Sequence, residues 1–262
     1  MRRSLVLVFL LGTVVSCAHG GWQEVAEGVD YRRINRDGVD MHVARIDLRA
    51  ADLRVVATSE EHRGTTVSEM AKATGALVAV NADYFDDDLR PIGLAMGGCE
   101  VWGEPRDDVR RQPIVAVAPR RVSILARDEF PVEGKRWMTG AVSGWPRLVE
   151  GCAPIESLPG SDSFTRAPHP RTAVGLSEDG QVLYLVVADG RRQGVTGPTL
   201  PELARLMTEL GVCSALNLDG GGSSAMWVGG KIVNQPSDGP ERRVTNHLAV
   251  VPATRAIDCA AQ

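Results

Sequence analysis

Two stretches 133 positions apart follow one grammar, and that grammar limits what the chain can fold into. In the first, Thr66 stands three residues before Glu69. Val67, Met70 and Ala71 follow on one face, then Gly75, the apolar run Ala76–Val80 and Asn81-Ala82-Asp83. In the second, Thr199 precedes Glu202. Leu203, Leu206, Met207 and Leu210 share a face, and Gly211, the run Ala215–Leu218 and Asn217-Leu218-Asp219 complete the unit. Thr-x-x-Glu is a capping box that starts a helix. Glycine after the last apolar position ends it. Each unit is therefore a helix feeding a buried strand with an Asn-x-Asp at its C-terminal end, where ligands gather in α/β layers. Such similarity admits either a duplication or two capped helices obeying the same local rules.

Other elements follow from period and turn chemistry. Met41–Leu48 and Leu53–Ala57 alternate as strands, and Pro113–Val117 and Val122–Leu125 are two more. Arg171–Leu176 and Val182–Ala188 flank a turn at Glu178-Asp179-Gly180, a hairpin. A second hairpin turns at Gly229-Gly230 between Ala225–Val228 and Lys231–Asn234, and Leu248–Val251 is the last strand. Residues 100–112 and 150–170 read as loops. The expected fold class is α+β, a single domain with a mixed, mostly antiparallel β-sheet core and two helices.

The N-terminus has an export pattern. Arg2-Arg3 precede an apolar stretch from Leu5 to Leu11 that is too short to anchor in a bilayer as a span. Val14-Val15-Ser16-Cys17 resembles a lipobox, so residues 1–17 read as a signal peptide with a lipobox-like cleavage site, and Cys17 is expected to become the lipidated first residue. Residues 18–30 read as a linker and 31–262 as the folded domain. An extracytoplasmic protein, lipid-anchored to a bacterial membrane, makes disulfides reasonable. Four cysteines remain after Cys17 and allow three connectivities. The expected pairs are Cys99–Cys152 and Cys213–Cys259. With no Cys-x-x-Cys and five scattered histidines, no zinc-type spacing stands out. A formal net charge of −4 leaves no nucleic-acid footprint.

Asn217-Leu218-Asp219-Gly220-Gly221-Gly222-Ser223-Ser224 carries the chemistry. Consecutive glycines let a ligand reach the main chain and allow N–H groups to converge on an anion. The carboxylate at the loop's mouth adds acid or base chemistry. Further polar residues fall at strand ends: Asn81 and Asp83, Arg171 and Thr172, Asp189 and Arg191, then Glu241, Arg242 and Asn246. Paired carboxylates with arginine forks suit cleavage of a negatively charged glycoside. His169 reads as a loop residue and His247 as structural. Trp102, Trp137, Trp145 and Trp227 suit either sugar stacking or the core.

Pro170–Gly175, Ala188–Arg191, Gly197–Leu200, Asn217–Ser223 and Glu241–Asn246 together resemble the phosphodiester glycosidase family, and Val80–Phe85 matches its earlier Asn-bearing strand end. The resemblance covers roughly residues 40–252; Ala82-Asp83 departs from it where many relatives have a glycine pair. It implies a hydrolase cleaving a sugar-1-phosphodiester bond in an envelope or polysaccharide substrate. It points to Asp189, Asp219 and Glu241 as catalytic candidates. Asn81, Arg171, Thr172, Arg191, Asn217, Gly220, Gly221, Gly222, Ser223 and Arg242 are the substrate-binding candidates. The expected partner is a glycosyl phosphodiester or phosphorylated glycan. No cofactor is required, although Asp219 and Asn217 with a ligand phosphate could hold a divalent cation. The alternatives are a non-catalytic carbohydrate-binding lipoprotein and a phosphodiesterase cleaving P–O.

Overall fold

The structure is a computed structural model that describes residues 21–103, 112–118, 120–126 and 137–255. The expected export signal, Cys17 and Cys259 lie outside the described residues. The strands in chain order are β1 Gln23–Ala26, β2 Val29–Arg36, β3 Val39–Asp47, β4 Leu53–Ala57, β5 Val78–Asn81, β6 Ala95–Gly97, β7 Glu100–Gly103, β8 Ile114–Ala118 and β9 Arg121–Leu125. They continue with β10 Gly140–Ser143, β11 Arg147–Glu150, β12 Ala153–Pro154, β13 Arg171–Leu176, β14 Val182–Ala188, β15 Ser214–Asn217, β16 Met226–Val228, β17 Lys231–Ile232 and β18 His247–Pro252. The helices are α1 Val67–Thr74, α2 Asp162–Thr165 and α3 Leu200–Glu209.

Three sheets share one core. An eight-stranded sheet runs β1-β2-β3-β14-β13-β15-β11-β12. One five-stranded sheet runs β17-β16-β5-β18-β4 and another β7-β6-β10-β8-β9. Among the described residues the strand pairs are antiparallel. Alternation along a strand decides which layer each side chain enters. Leu183, Leu185 and Val187 of β14 join the shared core with Val78, Val80, Leu248 and Val117. Tyr184, Val186 and Ala188 point the other way, onto Leu200, Leu203 and Met207 of α3. Val67, Met70 and Ala71 of α1 cover the outer face of the β5 sheet. The molecule is α+β and a single domain, because all three sheets feed the same apolar interior.

Both capping boxes form, with Thr66 and Glu69 bonding reciprocally and Thr199 and Glu202 doing the same. The two helix–strand units are the same arrangement. β18 lies between β4 and β5, as β13 lies between β14 and β15. His247 pairs with Asn81, and Ala173 pairs with Asn217. One residue on, the Ala82 N–H donates to the Asn246 carbonyl at 3.2 Å and the Leu218 N–H to the Thr172 carbonyl at 2.9 Å.

Several expectations need correction. Residues 23–26 and 29–36, placed partly in a linker, form the β1–β2 hairpin that extends the large sheet. Glu100–Gly103 is a strand, and the 150–170 stretch holds β12 and the one-turn α2. Among the described residues Cys152 is bonded to Cys213, which rules out both expected pairings. Pairing of β11 with β15 brings the turn after β11 alongside the residue before β15, and the Cys152 N–H donates to the Cys213 carbonyl at 3.0 Å.

Candidate active site

The two Asn-x-Asp ends meet. The Asp219 N–H donates to the Ala82 carbonyl at 2.9 Å, and the Asn81 Nδ2 donates to the Asp219 carbonyl at 2.6 Å. Asn81 Oδ1 accepts from Thr172 Oγ1 at 2.9 Å and from the Ala225 N–H at 3.2 Å. Asn81 and Thr172 are fully buried, so they tie the ends of two sheets together and set the backbone at Asp219. Asn217 does similar work: its Nδ2 donates to the Tyr84 hydroxyl at 2.6 Å and to the Trp145 carbonyl at 2.8 Å.

Over this junction lies a cleft of about 470 Å³. Asp219, Gly220, Gly221 and Gly222 form one side, and Arg171, Arg191 and Arg242 converge on it from three segments. Tyr84, Ser163, Phe164 and His169 complete the wall. Trp145 backs Phe164, with ring centroids 5.3 Å apart.

The glycines act mainly through close approach. A Cβ on Gly221, which has φ +60°, would sit 3.2 Å from the Arg191 guanidinium. A Cβ on Gly222 would collide with Asp238 and Arg242. Glycine therefore lets two guanidinium groups lie against the loop. The loop offers fewer free N–H groups than three glycines suggest. Those of Gly221, Ser223 and Ser224 donate to the carbonyls of Pro170, Gly220 and Gly221.

Charge in the cleft is uneven. Burial pushes the Asp219 carboxyl up to about 6, against the lowering effects of the Ser223 hydroxyl, the Arg242 charge and the Gly220 N–H. Arg242 is paired with Asp238 and lies 3.4 Å from Ser223 Oγ. Arg171 is 3 % exposed. Its Nη2 donates to the carbonyls of Phe164 at 2.7 Å and Ala167 at 3.0 Å, and its Nε to that of Pro198 at 3.4 Å. No carboxylate faces it among the described residues. Burial, joined by the Arg191 charge and opposed by Tyr84, lowers its pKa to about 10. Arg191 is held at φ +57°, with its Nη2 3.4 Å from His169 Nδ1. A buried guanidinium bonded only to carbonyls, beside a second one, is a place prepared for an anion.

Two carboxylates expected in the site stand outside it. Asp189 does not line the cleft; its oxygens accept from Asn234 Nδ2 at 3.1 Å, the Gln235 N–H at 3.0 Å and Arg192 Nη2 at 3.1 Å. Burial opposes its ionisation, but His42, Asn234 and Gln235 outweigh this and hold it below the usual carboxylate range. Glu241 turns to α1, accepting from the Ser68 N–H at 2.9 Å in the helix's first turn. A strand end beside glycine fixes where a carboxylate starts, not which neighbours claim it. Tyr84, Ser163 and Phe164 are not among the sequence candidates, and His169, which reads as a loop residue, lines the cleft as well. Tyr84 sits in the strand-end segment already singled out, and its nearness to Asn81 was the available signal. The others belong to a stretch with no period to read.

The family model for phosphodiester glycosidases matches residues 74–251. The chain belongs to the phosphodiester glycosidase family. The human N-acetylglucosamine-1-phosphodiester alpha-N-acetylglucosaminidase is 34% identical over 193 residues, 67% of this chain and 36% of that protein. The SPbeta prophage-derived uncharacterized protein YomE of Bacillus subtilis is 42% identical over 82 residues, 31% of this chain and 13% of that protein. Among solved structures, the zebrafish N-acetylglucosamine-1-phosphodiester alpha-N-acetylglucosaminidase catalytic domain, auto-inhibited by its pro-peptide, superposes with a TM-score of 0.64 at 21% identity. That match covers 85% of this chain and 82% of that one. The phosphodiester glycosidase fold is thus shared. The chain spans between 13% and 36% of the length of the curated relatives it matches.

Proposed function

We propose that this protein is an exported hydrolase that cleaves the C1–O bond of a sugar-1-phosphodiester in an envelope or polysaccharide substrate. The observation that carries this reading is the cleft's charge pattern. One carboxyl with a raised pKa shares the space with three guanidinium groups, and one of these, Arg171, meets no carboxylate among the described residues. The named human relative acts on an N-acetylglucosamine-1-phosphodiester, so that sugar is the first substrate to test.

The residues divide the work as follows. Arg171, Arg191 and Arg242 hold the phosphate and stabilise it as it leaves. A phosphate monoester is a good leaving group and needs little protonation, so the proton problem lies with the attacking water. Asp219, ionised above about pH 6, accepts that proton while the water oxygen bonds to C1 and the C1–O bond breaks. The phosphate monoester departs with the bonding electrons, and the proton returns to solvent or to the product. Phe164, backed by Trp145, offers an aromatic wall for the sugar. Asp189 and Glu241 support the frame. Cys17 carries the lipid that keeps the enzyme at the membrane.

The test is turnover of a panel of sugar-1-phosphodiesters by the purified chain, N-acetylglucosamine first, in ¹⁸O-labelled water. Label in the sugar's anomeric hydroxyl supports the reading. Label in the phosphate would make the protein a phosphodiesterase, and binding without turnover across the panel would make it a carbohydrate-binding lipoprotein. Cys17→Ser is expected to release the protein from the membrane fraction.

A further inference from the structure

Behind the cleft, three side chains that the proposed hydrolysis does not use converge in the interior. Asp40 and His42 lie two residues apart on β3 and so face the same side of the sheet. β14 pairs with β3, Val187 opposite His42 and Ala188 opposite Met41. The next residue, Asp189, donates its N–H to the Asp40 carbonyl at 2.8 Å, which sets its carboxylate beside Asp40. All three are at most 2 % exposed. His42 Nε2 stands 3.9 Å from Asp40 Oδ1 and 3.9 Å from Asp189 Oδ2. The three donor atoms lie within 4.8 Å of one another.

Among the described residues His42 Nε2 is buried with no hydrogen-bond partner, although it is aimed between two carboxylates. A buried polar atom in that position calls for an occupant. The other ring nitrogen is already fixed, because Nδ1 lies 2.7 Å from the Tyr31 hydroxyl. With Nδ1–H donating to Tyr31, the Nε2 lone pair faces the two aspartates, as in a histidine metal ligand held by an outer partner.

We propose that Asp40, His42 and Asp189 bind a first-row divalent cation of the zinc class. The ligand set, one imidazole and two carboxylates, suits such an ion. Bonds of about 2.1 Å in tetrahedral geometry put neighbouring donor atoms about 3.4 Å apart, so each 3.9 Å separation between His42 and an aspartate must close by about half an ångström. Arg33 and Arg192 also reach these carboxylates. Arg33 donates to both oxygens of Asp40 at 2.7 Å, and Arg192 donates to Asp40 at 2.5 Å and to Asp189 at 3.1 Å. Each carboxylate oxygen carries two lone pairs, so Asp40 Oδ1 keeps one for the ion. The guanidinium groups then serve as outer partners that orient the carboxylates. Their positive charge selects against weakly held ions. The role is structural: the bound ion fixes the strand end from which the chain runs through Gly190 to Arg191, which lines the cleft.

The experiment needs no glycosidase substrate, so it stands or falls apart from the proposed hydrolysis. The purified full chain is stripped with EDTA, incubated with Zn²⁺ or Co²⁺ and desalted. Metal content is then measured by mass spectrometry and melting by scanning calorimetry. We expect one equivalent retained, a melting temperature raised by several degrees on reloading, and a visible Co²⁺ absorption band. His42→Gln should lose all three. Tyr31→Phe, which leaves the ligands in place, should weaken binding about tenfold. Stripped wild type that binds no equivalent and melts unchanged overturns the proposal. So does His42→Gln with wild-type metal content or, if that variant does not fold, Tyr31→Phe with unaltered affinity.

Discussion

Asp219 and Arg171 sit at opposite ends of the same electrostatic problem. Each is taken from water without a full counter-charge; an anionic substrate relieves that cost at Arg171 and adds repulsion at an ionised Asp219. The folded pKa of Asp219, about 6, lies above the unfolded value near 4, so the folded state holds the proton more tightly. Stability from this group is present at low pH and is lost as pH rises between those values. Asp219→Asn should thus raise stability at pH 7 by on the order of 1–3 kcal/mol while lowering turnover by about 10²–10⁴-fold. Melting curves and kcat on one preparation check both. In the wild type, activity should climb through about pH 6 as the carboxylate ionises; a profile falling there would reverse its role from base to acid. Arg171→Gln removes a guanidinium bonded only to carbonyls. It should cut kcat/KM for a phosphodiester by about 10–100-fold, the worth of a charge-assisted bond. Binding of the same sugar without phosphate should be unchanged, measured by calorimetry.

At the scale of elements, Glu241 supplies the decisive contrast. Its carboxylate accepts from the Ser68 N–H and sits at the positive end of α1. Glu241→Ala should lower stability by about 1 kcal/mol and leave kcat within a factor of two. Urea unfolding and turnover together separate a helix cap from a catalytic acid. The same helix shows what was readable in the chain. Its start, its capping box, Gly75 in the left-handed region and the strand beyond were all legible, because each is decided within a few residues. The 171–176 and 182–188 hairpin was equally legible, since period and turn sit side by side. The strands β6, β7 and β10 were not. They are three or four residues long and gain their pairing from segments far off in the chain. Sites split the same way. Asp219 and the glycines follow a readable strand and reach the cleft. Asp189 also ends a readable strand, but Asn234 and Gln235 from a distant segment claim its oxygens.

Across the whole molecule, function and covalent bracing occupy opposite ends of the same strands. β13 begins at Arg171, which lines the cleft, and ends at Leu176, whose carbonyl accepts from the Cys213 N–H at 2.8 Å. At about 3.4 Å per residue, the five steps from Arg171 to Leu176 put the two ends of the strand about 17 Å apart. The Cys152–Cys213 bridge closes a loop of 61 residues running through β13, β14 and α3. Restricting so long a loop in the unfolded chain is worth about 2–4 kcal/mol. The cleft draws its own rigidity from elsewhere, from the Asn81 and Thr172 bonds that join the two helix–strand units. The double variant Cys152→Ala/Cys213→Ala should therefore melt several degrees lower yet keep wild-type kcat/KM at temperatures where it stays folded. Calorimetry with initial rates at 25 °C tests this. A matching loss of activity would mean that the two ends of the sheet are mechanically coupled and that the site depends on the bridge.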